Sequence, residues 1–186
     1  MWRQTAKPLT QVVGRFMSQM QLLSQALNPG DIVYTPDWVA RDMVEWFAPS
    51  GKVLEPCLGE GAIFRYLPSG SEWCEIQKGR DFFQWQKKAD WIVSNPPYGN
   101  KMFSDWLEHS FNIAKDIVYL LPVHFFFRAG KKVERCRKDG WIKHIRFYGN
   151  GGDLGFPMGN PIAAMHFVRG YQGDTSWSWY APNASR

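Results

Sequence analysis

Three observations predict an α/β fold, a sheet with helices on its faces. Short apolar runs alternate with helix-length amphipathic segments, the first run opens into a glycine turn, and the last two runs are placed to pair as an antiparallel hairpin. With 186 residues the chain is long enough to bury a real core in one domain, so 1–186 is read as a single domain in which 1–30 is an N-terminal helical extension.

The elements follow in order. Leu9 to Leu27 has helical spacing, and Asn28-Pro29-Gly30-Asp31 stops it. A second helix starts at Thr35-Pro36-Asp37, with Thr35 as its expected cap, Pro36 in its first turn, and Val39, Met43, Val44 and Phe47 on its buried face. Lys52 to Glu55 is a short buried strand, and Ala62 to Leu67 has room only for a short helix. Glu72 to Ile76 is expected as a second strand and Ala89 to Ser94 as a fourth, in a parallel sheet. The stretch between them is too short for a full crossover of a dozen or more residues, so one helix is expected to be reduced or missing. Phe103 to Ala114 predicts a helix facing the sheet through Phe103, Trp106, Leu107, Ser110 and Phe111. Asp116 to Pro122 predicts a buried strand, Val133 to Asp139 a helix, and Ile142 to Tyr148 and Ile162 to Val168 the hairpin. The aromatic ending Trp177, Trp179 and Tyr180 suits an edge strand or core packing.

Composition narrows the function classes. No apolar run approaches the ~20 residues of a membrane span or resembles a secretory signal, which predicts a soluble, cytoplasmic protein with no membrane partner. Cys57, Cys74 and Cys136 lack CxxC spacing and the four histidines lack metal-ligand spacing, so neither disulfides nor a metal is expected. A net charge of +5 suits a polyanionic partner.

Two turns carry the chemistry. Ligands bind outside the carboxyl ends of parallel strands, and both Glu55 to Gly61 and Asn95-Pro96-Pro97-Tyr98 follow predicted strands, so they are expected to share a cleft. Gly59 and Gly61 allow close backbone approach, while Glu55 can receive a cationic amino group. A phosphate loop would need a Lys-Ser/Thr ending, which this turn lacks. In Asn95 to Tyr98, an amide oxygen and a proline-flanked carbonyl can accept from one NH2, and the tyrosine ring offers a stacking face.

These residues resemble the AdoMet-dependent N6-adenine DNA methyltransferases of the gamma motif order. Val53-Leu54-Glu55-Pro56-Cys57-Leu58-Gly59-Glu60-Gly61-Ala62 is similar to that family's cofactor motif, Asn95 to Tyr98 to its catalytic motif, and Tyr34-Thr35-Pro36 to its N-terminal cofactor motif. The resemblance implies the class I AdoMet-dependent methyltransferase (Rossmann-like) fold in a compact version, a mostly parallel sheet with an antiparallel C-terminal hairpin. It also implies S-adenosyl-L-methionine as cofactor and DNA as substrate, with RNA and protein glutamine as the alternatives.

The likeness assigns Tyr34, Thr35, Pro36, Glu55, Pro56, Gly59, Gly61 and Asn95 to the cofactor. Glu75, the better match, or Glu72 would accept from the ribose hydroxyls, and Asp81 and Phe82 would hold the adenine. Asn95, Pro96, Pro97 and Tyr98 would be catalytic, with Tyr98 stacked on a flipped target base. Arg128, Lys131 and Lys132 would meet phosphates, and Phe156, in the glycine-rich loop 149–159, would touch the target base as part of a lid. No target-recognition region follows Val168, which predicts a minimal enzyme with relaxed recognition, or one acting as a homodimer or with a partner subunit.

Overall fold

The computed structural model describes residues 33–97, 102–127, 134, 137–156 and 159–182, with no side-chain description for Met102 and Phe125. The expected N-terminal helix, Tyr98, Arg128, Lys131 and Lys132 lie outside the described residues.

Helix α1 runs over Asp37–Phe47 and buries Val39, Ala40, Met43 and Val44, with Phe47 partly buried, the face that the spacing predicts. Strand β1 is Val53–Glu55, and a single 3₁₀ turn at Phe64–Tyr66 follows the glycine turn. Asp37 in the first turn of α1 meets that 3₁₀ turn, accepting from Arg65 Nη1 at 3.1 Å and Tyr66 Oη at 2.7 Å. β2 is Glu72–Trp73, β3 Trp91–Ser94, α2 Met102–Ile113, β4 Asp116–Pro122 and α3 Val123–Phe127. Glu134 and Arg137 to Asp139 are helical. β5 (Gly140–Asn150), β6 (Pro161–Arg169) and β7 (Ser176–Trp179) complete the sheet.

The strand order is β2-β1-β3-β4-β6-β5-β7. β1 to β4 are mutually parallel, β6 is antiparallel to both β4 and β5, and β7 is parallel to β5. Only β6 therefore runs against the rest, and the carboxyl ends of β1, β2, β3 and β4 form one rim. Alternate residues of β4 point to opposite faces. Val118 and Leu120 join Val39, Met43 and Val44 of α1, whereas Ile117, Tyr119 and Leu121 join Phe103, Trp106 and Phe111 of α2 and Phe126 of α3.

Two expectations on the strands need correction, and the reduced crossover is as expected. β2 has two residues instead of five because Glu75 and Arg80 close a tight loop through reciprocal backbone bonds of 2.9 and 3.0 Å, drawing the chain off the strand. The crossover helix is replaced by two 3₁₀ turns, Ile76–Lys78 and Phe82–Gln84. The strand counted as fourth is third in chain order, and it begins at Trp91 because Asp90 N–H and Trp91 N–H both turn to the Lys52 carbonyl. The aromatic ending forms the edge strand β7.

Candidate functional site

Parallel pairing of β1 with β3 brings the ends of both strands, and so both turns, to one rim. Glu55 is the last residue of β1 and is 2% exposed. Its Oε2 has no hydrogen-bond partner. Burial, and secondarily the charge of Glu75, push its carboxyl up to about 9, against the lowering effect of a hydrogen bond with the Phe64 backbone. A buried carboxylate without a cation is costly to ionise, so this group is poised to accept a cation.

The glycine turn opens directly from Glu55. Gly59 and Gly61 hold φ of +50° and +78°, which L side chains rarely adopt, and a Cβ built on Gly59 would meet nothing within 4 Å. Glycine is thus required here by backbone conformation beside open space. The Gly59 N–H donates to Glu75 Oε2 at 2.8 Å, and Glu75 Oε1 accepts from Gln77 N–H at 3.2 Å. The two acids therefore share one corner, Glu55 with its Oε2 unpartnered and Glu75 anchored to the turn. Cys57 lies in the same turn, and burial with the nearby Glu75 and Glu55 charges raises its thiol to about 12, which keeps it protonated.

Asn95 follows β3, and its amide orientation is fixed by chemistry. Nδ2 donates to the Val33 carbonyl at 3.1 Å and to Thr35 Oγ1 at 3.1 Å. A backbone carbonyl can only accept, so the nitrogen must face Val33, and whatever the amide oxygen meets it meets as an acceptor. Pro96 is buried and Pro97 half-buried. Ser94, just before, is fully buried with a hydroxyl that has no partner.

The N-terminal motif is used differently from the expectation. Pro36 is the N-cap residue of α1, and no side chain caps the helix. Thr35 is not the cap because its hydroxyl is engaged by Asn95. Tyr34 is 56% exposed. Buried Pro56 continues from Glu55 into the turn.

Three further residues expected at the site are held by packing or by local bonds. Phe82 is 2% exposed, with its ring against Trp106 at 4.7 Å and His109 at 4.8 Å, so it is core and not a platform for adenine. Asp81 Oδ1 accepts from the Phe83 N–H at 2.9 Å, capping the 3₁₀ turn that follows it. Phe156 is 5% exposed and packs in the cluster of Tyr148, Leu154 and Ile162. The 3₁₀ turn Gly152–Leu154 and the Phe156 N–H bond to the Gly151 carbonyl hold it there.

Sequence reading missed the Thr35–Asn95 clamp and a buried ion pair. Asp42 of α1 accepts from Arg146 Nη2 at 2.8 Å and Tyr148 Oη at 2.9 Å. The available signal was an acid placed among the apolar positions of an amphipathic helix.

The donor set fits a cofactor with a cationic amino-acid part. Glu55 could offer an ammonium group a buried carboxylate whose Oε2 has no hydrogen-bond partner, and Glu75, beside the turn, could offer hydroxyls a carboxylate.

No protein-family model matches the chain, and no curated protein matches it significantly. Solved structures do. A Listeria monocytogenes protein provisionally classed as a class I S-adenosylmethionine-dependent methyltransferase superposes with a TM-score of 0.57 at 12% identity, over 89% of this chain and 71% of that one. The methyltransferase subunit of a type I restriction-modification system from Streptococcus thermophilus gives 0.60 at 15% identity, over 86% and 50%. The type IIG restriction endonuclease BpuSI gives 0.62 at 11% identity, over 83% and 27%. The chain thus spans half of the Streptococcus subunit and about a quarter of BpuSI. The likeness establishes the class I AdoMet-dependent methyltransferase (Rossmann-like) fold, mostly parallel with an antiparallel hairpin.

Proposed function

We propose that this chain transfers a methyl group from S-adenosyl-L-methionine to the N6 amino group of adenine in DNA. The observation that carries the reading is the Asn95 amide, held by Val33 and Thr35 so that it presents only an acceptor.

When bound, the cofactor supplies an electrophilic methyl group on a sulfonium. Glu55 binds the ammonium of its methionine part and Glu75 its ribose, while Gly59 and Gly61 keep the turn free of side chains on the open side. Adenine N6 is a poor nucleophile because its lone pair is delocalised into the ring. Accepting hydrogen bonds from both N6 protons, on the Asn95 oxygen and the Pro96 carbonyl, would favour the pyramidal nitrogen that attacks. This is electrostatic preorganisation and needs no general base of shifted pKa. The sulfur–methyl bond breaks as the nitrogen–methyl bond forms, S-adenosyl-L-homocysteine leaves, and the surplus N6 proton passes to solvent. Tyr98, by the motif resemblance, stacks on the flipped base and offsets part of the unstacking cost of roughly a few kcal/mol. The type I and type IIG neighbours support DNA as the substrate, and their longer chains suit action with a partner subunit or a further domain.

The test is transfer of labelled methyl to DNA, RNA and protein, with the modified base identified in nuclease digests. N6-methyladenine in DNA is expected, and Asn95→Ala is expected to lose on the order of 100-fold or more in kcat, the scale of losing an oxyanion-type contact. Label in RNA or on glutamine alone, or an Asn95→Ala variant as fast as wild type, overturns the reading.

A further inference from the structure

The β2 edge carries a group of cations that the proposed reaction leaves unused. Arg80 Cζ lies 4.0 Å from the Trp73 ring centroid and 5.9 Å from that of Trp85. Lys78 Nζ lies 5.6 Å from the Trp73 ring and Lys87 Nζ 5.0 Å from that of Trp85. Three like charges thus converge on two indoles. The attraction of each cation to a ring face offsets part of the repulsion between the cations.

The neighbouring acids neutralise Lys87 alone and leave a net charge on the group. Glu72 pairs with Lys87 at 2.8 Å, Glu75 is bound to the Gly59 and Gln77 N–H groups, and Asp81 to that of Phe83. Among the described residues neither Lys78 nor Arg80 forms an ion pair. Arg80 is also fixed through its backbone to Glu75 at the rim, which places the cations beside the candidate site.

We propose that this patch binds the phosphate backbone of a nucleic-acid duplex, independently of sequence, as a second contact for the substrate. The inference rests on the DNA reading above. Positive charge facing outward selects a polyanion, and the guanidinium fork of Arg80 matches phosphate geometry. Because cations cover the indole faces, Trp73 and Trp85 hold the charges in place instead of stacking on bases. The contact is therefore electrostatic and blind to base identity.

The experiment measures fluorescence anisotropy of a labelled duplex at several salt concentrations, for the full chain and for the triple variant Lys78→Gln, Arg80→Gln, Lys87→Gln. At roughly 0.9 of log K per phosphate contact, losing the two uncompensated cations Lys78 and Arg80 is expected to lower the salt slope by about 2 units. Calorimetric cofactor affinity is expected to stay unchanged, showing that the turn at Glu75 is intact. If the triple variant does not fold, the double variant of the two exposed lysines, of which only Lys78 is uncompensated, is expected to lose about 1 unit. An unchanged slope overturns the patch, as does poly-glutamate displacing the duplex as well as unlabelled duplex does. Wild type that methylates DNA with a slope indifferent to these cations refutes only the patch. Wild type that binds duplex through them but transfers no methyl refutes only the proposed function.

Discussion

At the scale of single residues, the geometry around Asn95 separates two jobs that the motif alone merges. In the proposed reaction the amide oxygen is the acceptor for substrate, whereas Thr35 and the Val33 carbonyl hold the amide nitrogen. Thr35→Val keeps the shape and removes the hydroxyl acceptor, leaving one Nδ2 proton without its bond. The loss is about 0.5 to 1.5 kcal/mol for a neutral hydrogen bond, or roughly a 2- to 10-fold fall in rate. It should appear in kcat more than in the KM for cofactor, and Thr35→Ser should restore it. A Thr35→Val enzyme with unchanged kcat and a raised cofactor KM would return Thr35 to direct cofactor contact. Asn95 and Glu55 were legible because each combines an unusual residue type with a strand end. The clamp was not, because the Thr35 hydroxyl could cap a helix as readily as hold an amide, and only the fold decides between local and distant partners.

At the scale of elements, legibility followed the strength of the local pattern. The apolar run of β4 and the helical spacing of α1 and α2 left little choice. The segment between β2 and β3 had no such pattern, and its course is set by side-chain bonds of Glu75 and Asp81 to their own turns. Phe156 and Phe82 illustrate the same limit: a phenylalanine after a turn is equally suited to a ligand or to the core, and packing chose the core for both. Sequence separation hid the Asp42–Arg146–Tyr148 network, whose members lie more than 100 positions apart. This network joins α1 to β5, and its Arg146 also lies 3.7 Å over the Trp46 ring. Asp42→Ala leaves a buried guanidinium without its counter-ion, so a loss of about 3 to 5 kcal/mol in urea unfolding is expected. Replacing the pair together, Asp42→Leu with Arg146→Met, should recover much of that loss. Equal losses for the single and double variants would show that the ion pair is not what holds α1 to β5.

At the scale of the whole molecule, Glu55 ties stability, pH and cofactor binding together. Unfolded, its carboxyl ionises near the ordinary 4.5, and folded, only near 9. Between those values the native chain holds a proton that the unfolded chain has lost. The state with more bound protons is disfavoured as pH rises, so this residue lowers stability across that window, by up to about 1.4 kcal/mol per pH unit, and adds no slope below it. Without cofactor, Glu55→Gln should therefore flatten the fall in stability from pH 6 to pH 8 and should exceed wild type at the upper end, as read by denaturant midpoints. A cationic ligand reverses the preference, because an ammonium beside Glu55 favours the carboxylate. Binding S-adenosyl-L-methionine near pH 7 should then release close to one proton, seen as a dependence of calorimetric heat on buffer ionisation enthalpy, and affinity should rise from pH 5.5 to 7.5. Glu55→Gln should lose both the proton release and most of the affinity. If wild type binds the cofactor with no proton release, Glu55 is not the partner of the ammonium, and the unpartnered carboxylate at the end of β1 must answer to another cation.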